Sequence, residues 1–310
     1  LGAATALRFG STVISDNYAN SMANAKAFET IGIRALVSER VHDMIFYGLA
    51  DGIYEKDEAL GKNLFEKNMA LFEKYGDPDG RILPCWGPHA PDTCSRELLK
   101  RIADATHKHP APVTTHLAQS RMELDRVREV YHMSSTELLK ECGLLNDALM
   151  AAHGVFLTEE DMKLLADGQV QMIHIPEGNA KAGAIADVYG MQQKGLNVAI
   201  GTDNGAGNMI ENMRIALIAG RINRHCVTDP LPEQILEMAT VNGAKALHME
   251  QKIGSLEVGK LADIVIMDYD NLHMIQILLC LESFASFLVI QILGGNCFCG
   301  LVPFWGEVMS

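Results

Sequence analysis

An α/β fold is predicted: a (β/α)8 barrel of TIM type that lacks its first strand in this chain, followed by the remnant of a small β-sandwich domain. Three observations predict it. Through roughly residue 205, short β-branched or apolar runs alternate with amphipathic stretches of about ten to twenty residues, the rhythm of βα units on a parallel sheet. The apolar runs number seven, one fewer than a closed barrel needs. Four of them carry His116, His153, His174 or Asp203 at or next to their ends, and in barrels of this kind the strand C-termini build the site.

The strands are read near 11–16 (STVISD), 33–38 (IRALVS), 81–86 (RILPCW), 111–117 (APVTTHL), 148–153 (ALMAAH), 169–175 (QVQMIHI) and 197–203 (NVAIGTD). Helical patterns lie between them at 57–75, 95–108, 158–167 and 209–222, with Thr158 as an N-cap ahead of Glu159, Glu160 and Asp161. The opening LGAATALRFG has the character of the helix that follows a first strand, so that strand is expected to lie upstream of Leu1 and the chain to be an internal fragment. Residues 231–247 read as a helix pair broken at a glycine. After it, 253–268 carries a turn signal and then a strand that leaves the βα rhythm. Three regions follow: 1–250 as the incomplete barrel with strands two to eight, 251–272 as part of a small composite β domain, and 273–310 as an atypical apolar tail. No Lys or Arg occurs after Lys260, and 274–293 is apolar enough to raise the question of a membrane span. Glu282 at its centre and the lack of a basic flank argue against one.

With 310 residues, 48% of them hydrophobic and 21% charged, the chain can bury a sizeable core. A net charge of −13 without a basic cluster excludes a nucleic-acid or anionic-membrane partner on electrostatic grounds and leaves a small-molecule substrate. Seven scattered cysteines without CxxC spacing indicate neither a disulfide framework nor a thiolate metal site, which fits a reducing cytoplasm. Methionines are read as core filler, and the charged residues of 121–129 (RMELDRVRE) as a solvated helix face.

The strand-end residues are His116, His153, His174 and Asp203. A single polar residue at a strand end is usually structural. Four together resist explanation as core packing, and imidazole with carboxylate suits Zn²⁺ or Fe²⁺ and water activated by the ion.

The segments GPHAPDTCS (87–95), THLAQSRMEL (115–124), AAHGVFLTEED (151–161), HIPEGNAK (174–181), GTDNGAGNMIENMR (201–214) and IGSLEVGKLADIVIMD (253–268) together resemble the amidohydrolase superfamily. The nearest branch holds aminohydrolases and chlorohydrolases of purine-like, triazine and adenosine-type substrates, and the resemblance runs over roughly residues 1–272. It implies hydrolysis of a carbon–nitrogen bond in a purine, pterin or triazine, with one Zn²⁺ (or Fe²⁺) per subunit and a homodimer by analogy. By position, His116 and Asp203 resemble metal ligands and His153 the histidine that polarises water or substrate. His89, His174 and Asn179 match positions that line the substrate pocket.

Two departures stand out. The His-x-His pair that the family carries on its first strand has no counterpart ahead of the first of these strands; the His107-Lys108-His109 present lies at the end of the helical pattern 95–108. Gln119 occupies the position of a proton-shuttling glutamate, and an amide cannot accept and return a proton near neutral pH. Either Asp203 and His153 move the proton, or the leaving group needs less protonation, or activity is lost. Asp92, after HAP, replaces an expected tyrosine. Alternatives are therefore a chlorohydrolase or amide hydrolase, or a non-catalytic fragment.

Overall fold

The computed structural model describes residues 1–205 and 207–266, together with the antiparallel pairing of Ile292–Leu293 with Asn296–Cys297. Seven parallel strands appear where the apolar runs place them: β1 (Val13–Tyr18), β2 (Arg34–Glu39), β3 (Ile82–Pro84), β4 (Val113–Leu117), β5 (Leu149–His153), β6 (Gln171–His174) and β7 (Asn197–Ile200). They form one ladder of three strands and one of four, in chain order. A parallel bridge from Trp86 to Val113 joins the two, with Trp86 N–H donating to Pro112 O and Thr114 N–H to Trp86 O. The register brings His116 level with Ala152 and Leu117 level with His153, so successive strand ends finish side by side.

Among the described residues twelve α-helices accompany the strands: α1 (Gly2–Arg8), α2 (Ser21–Ile31), α3 (Glu58–Tyr75), α4 (Arg96–Lys108), α5 (Arg121–Tyr131), α6 (Ser135–Glu141), α7 (Glu159–Asp167), α8 (Pro176–Lys181), α9 (Val188–Gln193), α10 (Met209–Arg224), α11 (Pro232–Ala239) and α12 (Val241–Ala246). Local chemistry sets many of their starts. Side chains of Asp57, Ser95, Ser120, Ser134, Thr158 and Asn208 each accept an amide hydrogen at an N-cap, and Thr158 forms a full capping box with Asp161. The expected glycine break in 231–247 falls instead at Thr240 (φ −126°, ψ −90°), and Gly243 lies inside α12. Thr240 breaks the helix because its hydroxyl turns back to Leu236 O at 2.7 Å while its backbone leaves the helical region.

Period-two alternation sorts the strand side chains. Leu36, Met150 and Ile173 point into the barrel, where they meet Cys85, Ala244, Met249 and Ile253. Val113, Leu117, Leu149, Ala151 and Met172 point outward against the helices. Met150, Met162, Met172, Met191, Met238 and Met249 are buried, as core filler should be.

Among the described residues, β1 and β7 are edge strands and no strand lies between them. A cavity of about 1540 Å³ opens there and runs from Asn17, Arg40, His116, His153 and Asp203 at the carboxyl ends to Ile253 and Asp263 at the other. Asp263 marks that lower end because it meets Arg34, the first residue of β2, at 3.5 Å. Residues 261–266 carry no strand ladder. The strand expected within 253–268 is thus not formed over 261–266; residues 267–272 and the tail at 273–310, apart from the short pairing already described, lie outside the described residues. Among the described residues no helix is long and apolar enough to cross a membrane.

Candidate active site

His116 stands at an inward position of β4, so plain strand geometry turns it into the cavity. Its Nδ1–H donates to His89 O at 2.6 Å, which leaves Nε2 as the lone-pair nitrogen. Burial, with the neighbouring His153 adding to it, pushes its pKa down to about 4, so the ring is neutral at pH 7.

His153 reaches the same space by a different route. Alternation along β5 would send it outward with Leu149 and Ala151. Its φ of 77°, followed by 62° at Gly154, instead turns the chain, and the side chain lines the cavity while only 2% exposed. Nδ1 lies 2.9 Å from Asn179 Oδ1, and because that oxygen only accepts, the ring donates and Nε2 is left free. Burial holds its pKa down as well. The His116 and His153 rings stack with centroids 5.4 Å apart.

Asp203 does not close β7 as expected; the strand ends at Ile200, and Asp203 sits in the following turn with a φ of 53°. Its Oδ1 accepts from Asn204 N–H at 2.6 Å. Its Oδ2 rests against Gly178 of α8, where a Cβ would come within 2.6 Å of that oxygen. A glycine is thus required for the close approach.

The remaining expected residues divide. His89 packs its ring 4.7 Å from that of His116, and its Nδ1 is 2.7 Å from Thr93 Oγ1; burial and the His116 ring lower its pKa strongly. Phe46 lies 4.9 Å from His89 and stacks on His42 at 3.9 Å, while the Arg40 guanidinium is held over the Tyr18 and Phe46 rings at 4.6 and 5.1 Å. Asn179 is buried and acts on His153. His174 is not on the cavity wall. Without a positive φ it keeps the outward alternation of β6 and lines a separate small cavity with Tyr189, Arg224 and Met238, its Nδ1 buried and unpartnered. Gln119 is exposed and is also absent from the wall. Asp92 accepts from Tyr54 Oη at 2.8 Å, so a tyrosine reaches this loop from a neighbouring one.

The reading of 121–129 as a wholly solvated face fails at Glu123, which is 2% exposed. Its two carboxylate oxygens accept from Ala118 N–H at 2.8 Å and Gln119 N–H at 2.9 Å. Glu123 lies four residues beyond Gln119, at the third position of a helix capped by Ser120, where a carboxylate can fold back on the preceding turn. That spacing was the available signal.

The donors fit a metal ion in kind: two neutral imidazoles with their Nδ1 hydrogens already engaged, and a carboxylate. They fall short in number, since among the described residues no group of three or more His, Cys, Asp or Glu is placed to hold a metal ion, whereas a catalytic zinc usually takes three protein ligands.

Fold and site together define a parallel β/α barrel with an imidazole–carboxylate centre at the carboxyl ends of its strands. The chain belongs to the Amidohydrolase family, whose profile matches residues 1–289. It is 36% identical over 273 residues to the 5'-deoxyadenosine deaminase of Methanosarcina acetivorans, covering 86% of this chain and 60% of that protein. It is 33% identical over 279 residues to the 5-methylthioadenosine/S-adenosylhomocysteine deaminase of Thermococcus sibiricus, covering 88% of this chain and 63% of that one. Among solved structures, a zinc-bound adenosine deaminase from Xanthomonas campestris superposes with a TM-score of 0.78 at 29% identity, over 88% of this chain and 62% of that chain. The chain thus spans about three fifths of the length of these relatives.

Proposed function

We propose that the full-length protein is a metal-dependent aminohydrolase that removes ammonia from a ring carbon of a nitrogen heterocycle of the adenosine type. The observation that carries this reading is the convergence of His116, His153 and Asp203 on one cavity, two of them through left-handed turns at strand ends. The names of the relatives supply the substrate class.

In this reading His116 Nε2 and the Asp203 carboxylate would hold one Zn²⁺ or Fe²⁺ ion per subunit, which would supply Lewis acidity at this end of the cavity. Asp203 Oδ2 would take the proton of the attacking water and return it to the leaving amino group, since Oδ1 is engaged by Asn204. His153 Nε2, its lone pair left free by the bond to Asn179, accepts a hydrogen bond from the attacking water. His89 borders the substrate. Gln119 holds the proton-shuttle position by sequence, but its side chain is exposed and off the cavity wall, and as an amide it carries no proton. His174 lies behind the sheet, off the cavity, and takes no part in the reaction. The slot between β1 and β7 borders the same cavity, and 251–272 contributes to a small β domain. The site takes small molecules, in a cytoplasmic and dimeric protein.

The test is product analysis on the metal-loaded full-length protein. Ammonia from adenosine, 5'-deoxyadenosine or methylthioadenosine, lost on chelation and regained with zinc, supports the reading. No ammonia from purine, pterin or triazine substrates would overturn it. Gln119 favours one second reading, a leaving group such as chloride that departs unprotonated; chloride in place of ammonia would establish it.

A further inference from the structure

Glu123 is a buried carboxylate that the reaction outlined above does not use. Among the described residues no basic side chain compensates it in the manner of an ion pair: Arg126, three residues on, faces Glu129 at 3.8 Å and lies over the Tyr54 ring at 4.6 Å. The acidic neighbour is Asp92, which is bonded to Tyr54. A charge in such a place is costly unless hydrogen bonds hold it, and Glu123 takes two, both from the turn that follows β4.

That turn has an unusual shape. Ala118 has a φ of 50°, a conformation that residues with a side chain rarely adopt and that needs support from its surroundings. Its peptide is also tied on the other side: Ala118 O accepts from Phe156 N–H at 3.0 Å, and Leu117 O accepts from Gly154 N–H at 2.9 Å. Gly154 follows His153, and Leu117 follows His116. Glu123 therefore closes a chain of hydrogen bonds that runs from α5 through the turn after β4 to the turn after β5, which are the two turns carrying the imidazoles.

We propose that Glu123 is a positioning residue, which by taking the amide hydrogens of Ala118 and Gln119 fixes the paired turns that aim His116 and His153 into the cavity. This rests on the functional reading above for what the imidazoles do, and on the hydrogen bonds alone for the brace. Two properties fit. A carboxylate offers an acceptor to each amide, whereas a glutamine in its place offers one acceptor and one opposing donor. Burial, with Asp92 as the next contributor, lifts the Glu123 carboxyl to about 7, so the ion is held at a loss of folding stability, as is common where a site needs a fixed geometry. The groups around it are Asp92 and Tyr54 from neighbouring loops, Ser135 of α6 and Arg126 of its own helix.

The experiment compares wild type, Glu123→Gln and Glu123→Ala in the full-length protein by amide hydrogen exchange, by zinc affinity in competition with a chelator, and by thermal unfolding at pH 8. Glu123→Ala is expected to speed exchange at Ala118 and Gln119 at least tenfold, to speed it at Gly154 and Phe156 as well, and to weaken zinc binding about tenfold or more. Glu123→Gln is expected to free one amide and weaken zinc binding less, with a Tm at pH 8 no lower than wild type. Affinity that falls while Tm does not is a result that a merely structural role would not give. Unchanged exchange at Ala118 and Gln119, zinc affinity within twofold of wild type, or affinity that falls only in step with Tm would overturn the proposal. Should Glu123→Ala fail to fold, Glu123→Gln decides by the same readouts. A wild-type protein that binds no zinc would sink the functional reading and leave the brace to be judged by exchange.

Discussion

Asn179 Oδ1 receives the Nδ1 hydrogen of His153 at 2.9 Å, across the gap between the turn after β5 and helix α8. The contact fixes both the ring orientation and its tautomer, leaving Nε2 as the nitrogen with a lone pair. Removing it in Asn179→Ala is expected to lower ammonia release about ten- to hundredfold while Tm shifts by a few degrees at most. Steady-state kinetics with a parallel melting curve decide. A loss of activity that merely tracks unfolding would argue that Asn179 only packs.

Folding stability should depend on pH in a way set by the buried histidines. Burial lowers His116 and His174 to about 4, below the unfolded value, so the unfolded chain binds more protons between about 4 and 6.5. Their contribution is present above pH 6.5 and lost as pH falls to 4, by about 3 kcal/mol each. Glu123 acts in the opposite sense. Raised to about 7, it binds its proton more tightly in the folded state, so it lowers stability as pH rises from 4.5 to 7, by about 3 kcal/mol. Urea denaturation of metal-free protein should therefore show stability rising from pH 4.5 to 6.5, and Glu123→Gln should stand above wild type at pH 8 but not at pH 4.5.

Gly178→Ala tests the seat of Asp203. Its Cβ would lie 2.6 Å from Asp203 Oδ2 and 2.8 Å from Ile175 Cγ2, so one of them must move. Zinc affinity is expected to fall tenfold or more with the helix intact by circular dichroism. Unchanged affinity would mean that Asp203 does not need this position.

His174 supplies a contrast. Facing the helices with an unpartnered Nδ1, it can be replaced by a residue of similar bulk without touching the cavity. His174→Leu should leave kcat/KM within about threefold, because removing an unsatisfied buried polar group is close to neutral. A hundredfold loss would return His174 to the substrate site.

Gln119→Glu introduces a group able to carry a proton, but at an exposed position off the cavity wall, so ammonia release is expected to stay within about threefold of wild type rather than rise by the factor of about 10²–10⁴ typical of general acid–base catalysis. A gain on that scale would return position 119 to the site.

Most of the barrel was legible from period and punctuation. The seven apolar runs became seven parallel strands, and Thr158 became the N-cap of α7, because both depend on residues near in sequence. His116 was legible for the same reason, being an inward position on a regular strand. His153 and His174 look alike in sequence, each ending an apolar run, yet one enters the cavity and the other does not. What separates them is a left-handed φ at His153, which no residue type announced. Glu123 was hidden for a related reason: its burial comes from the turn folding back over α5, while its neighbours in RMELDRVRE are mostly solvated. Asp203 was found by type and misplaced by three residues, since the strand ends at Ile200 and the turn delivers it.

The most direct test of the central claim is ammonia release from adenosine-type substrates by full-length protein, stripped of metal and reloaded with zinc, in wild type and Asp203→Asn. The account predicts zinc-dependent release by wild type and a loss of at least a hundredfold in the variant, whose amide at position 203 can neither take the proton nor ligate as an anion. Release that persists without metal, or that survives Asp203→Asn undiminished, would contradict it.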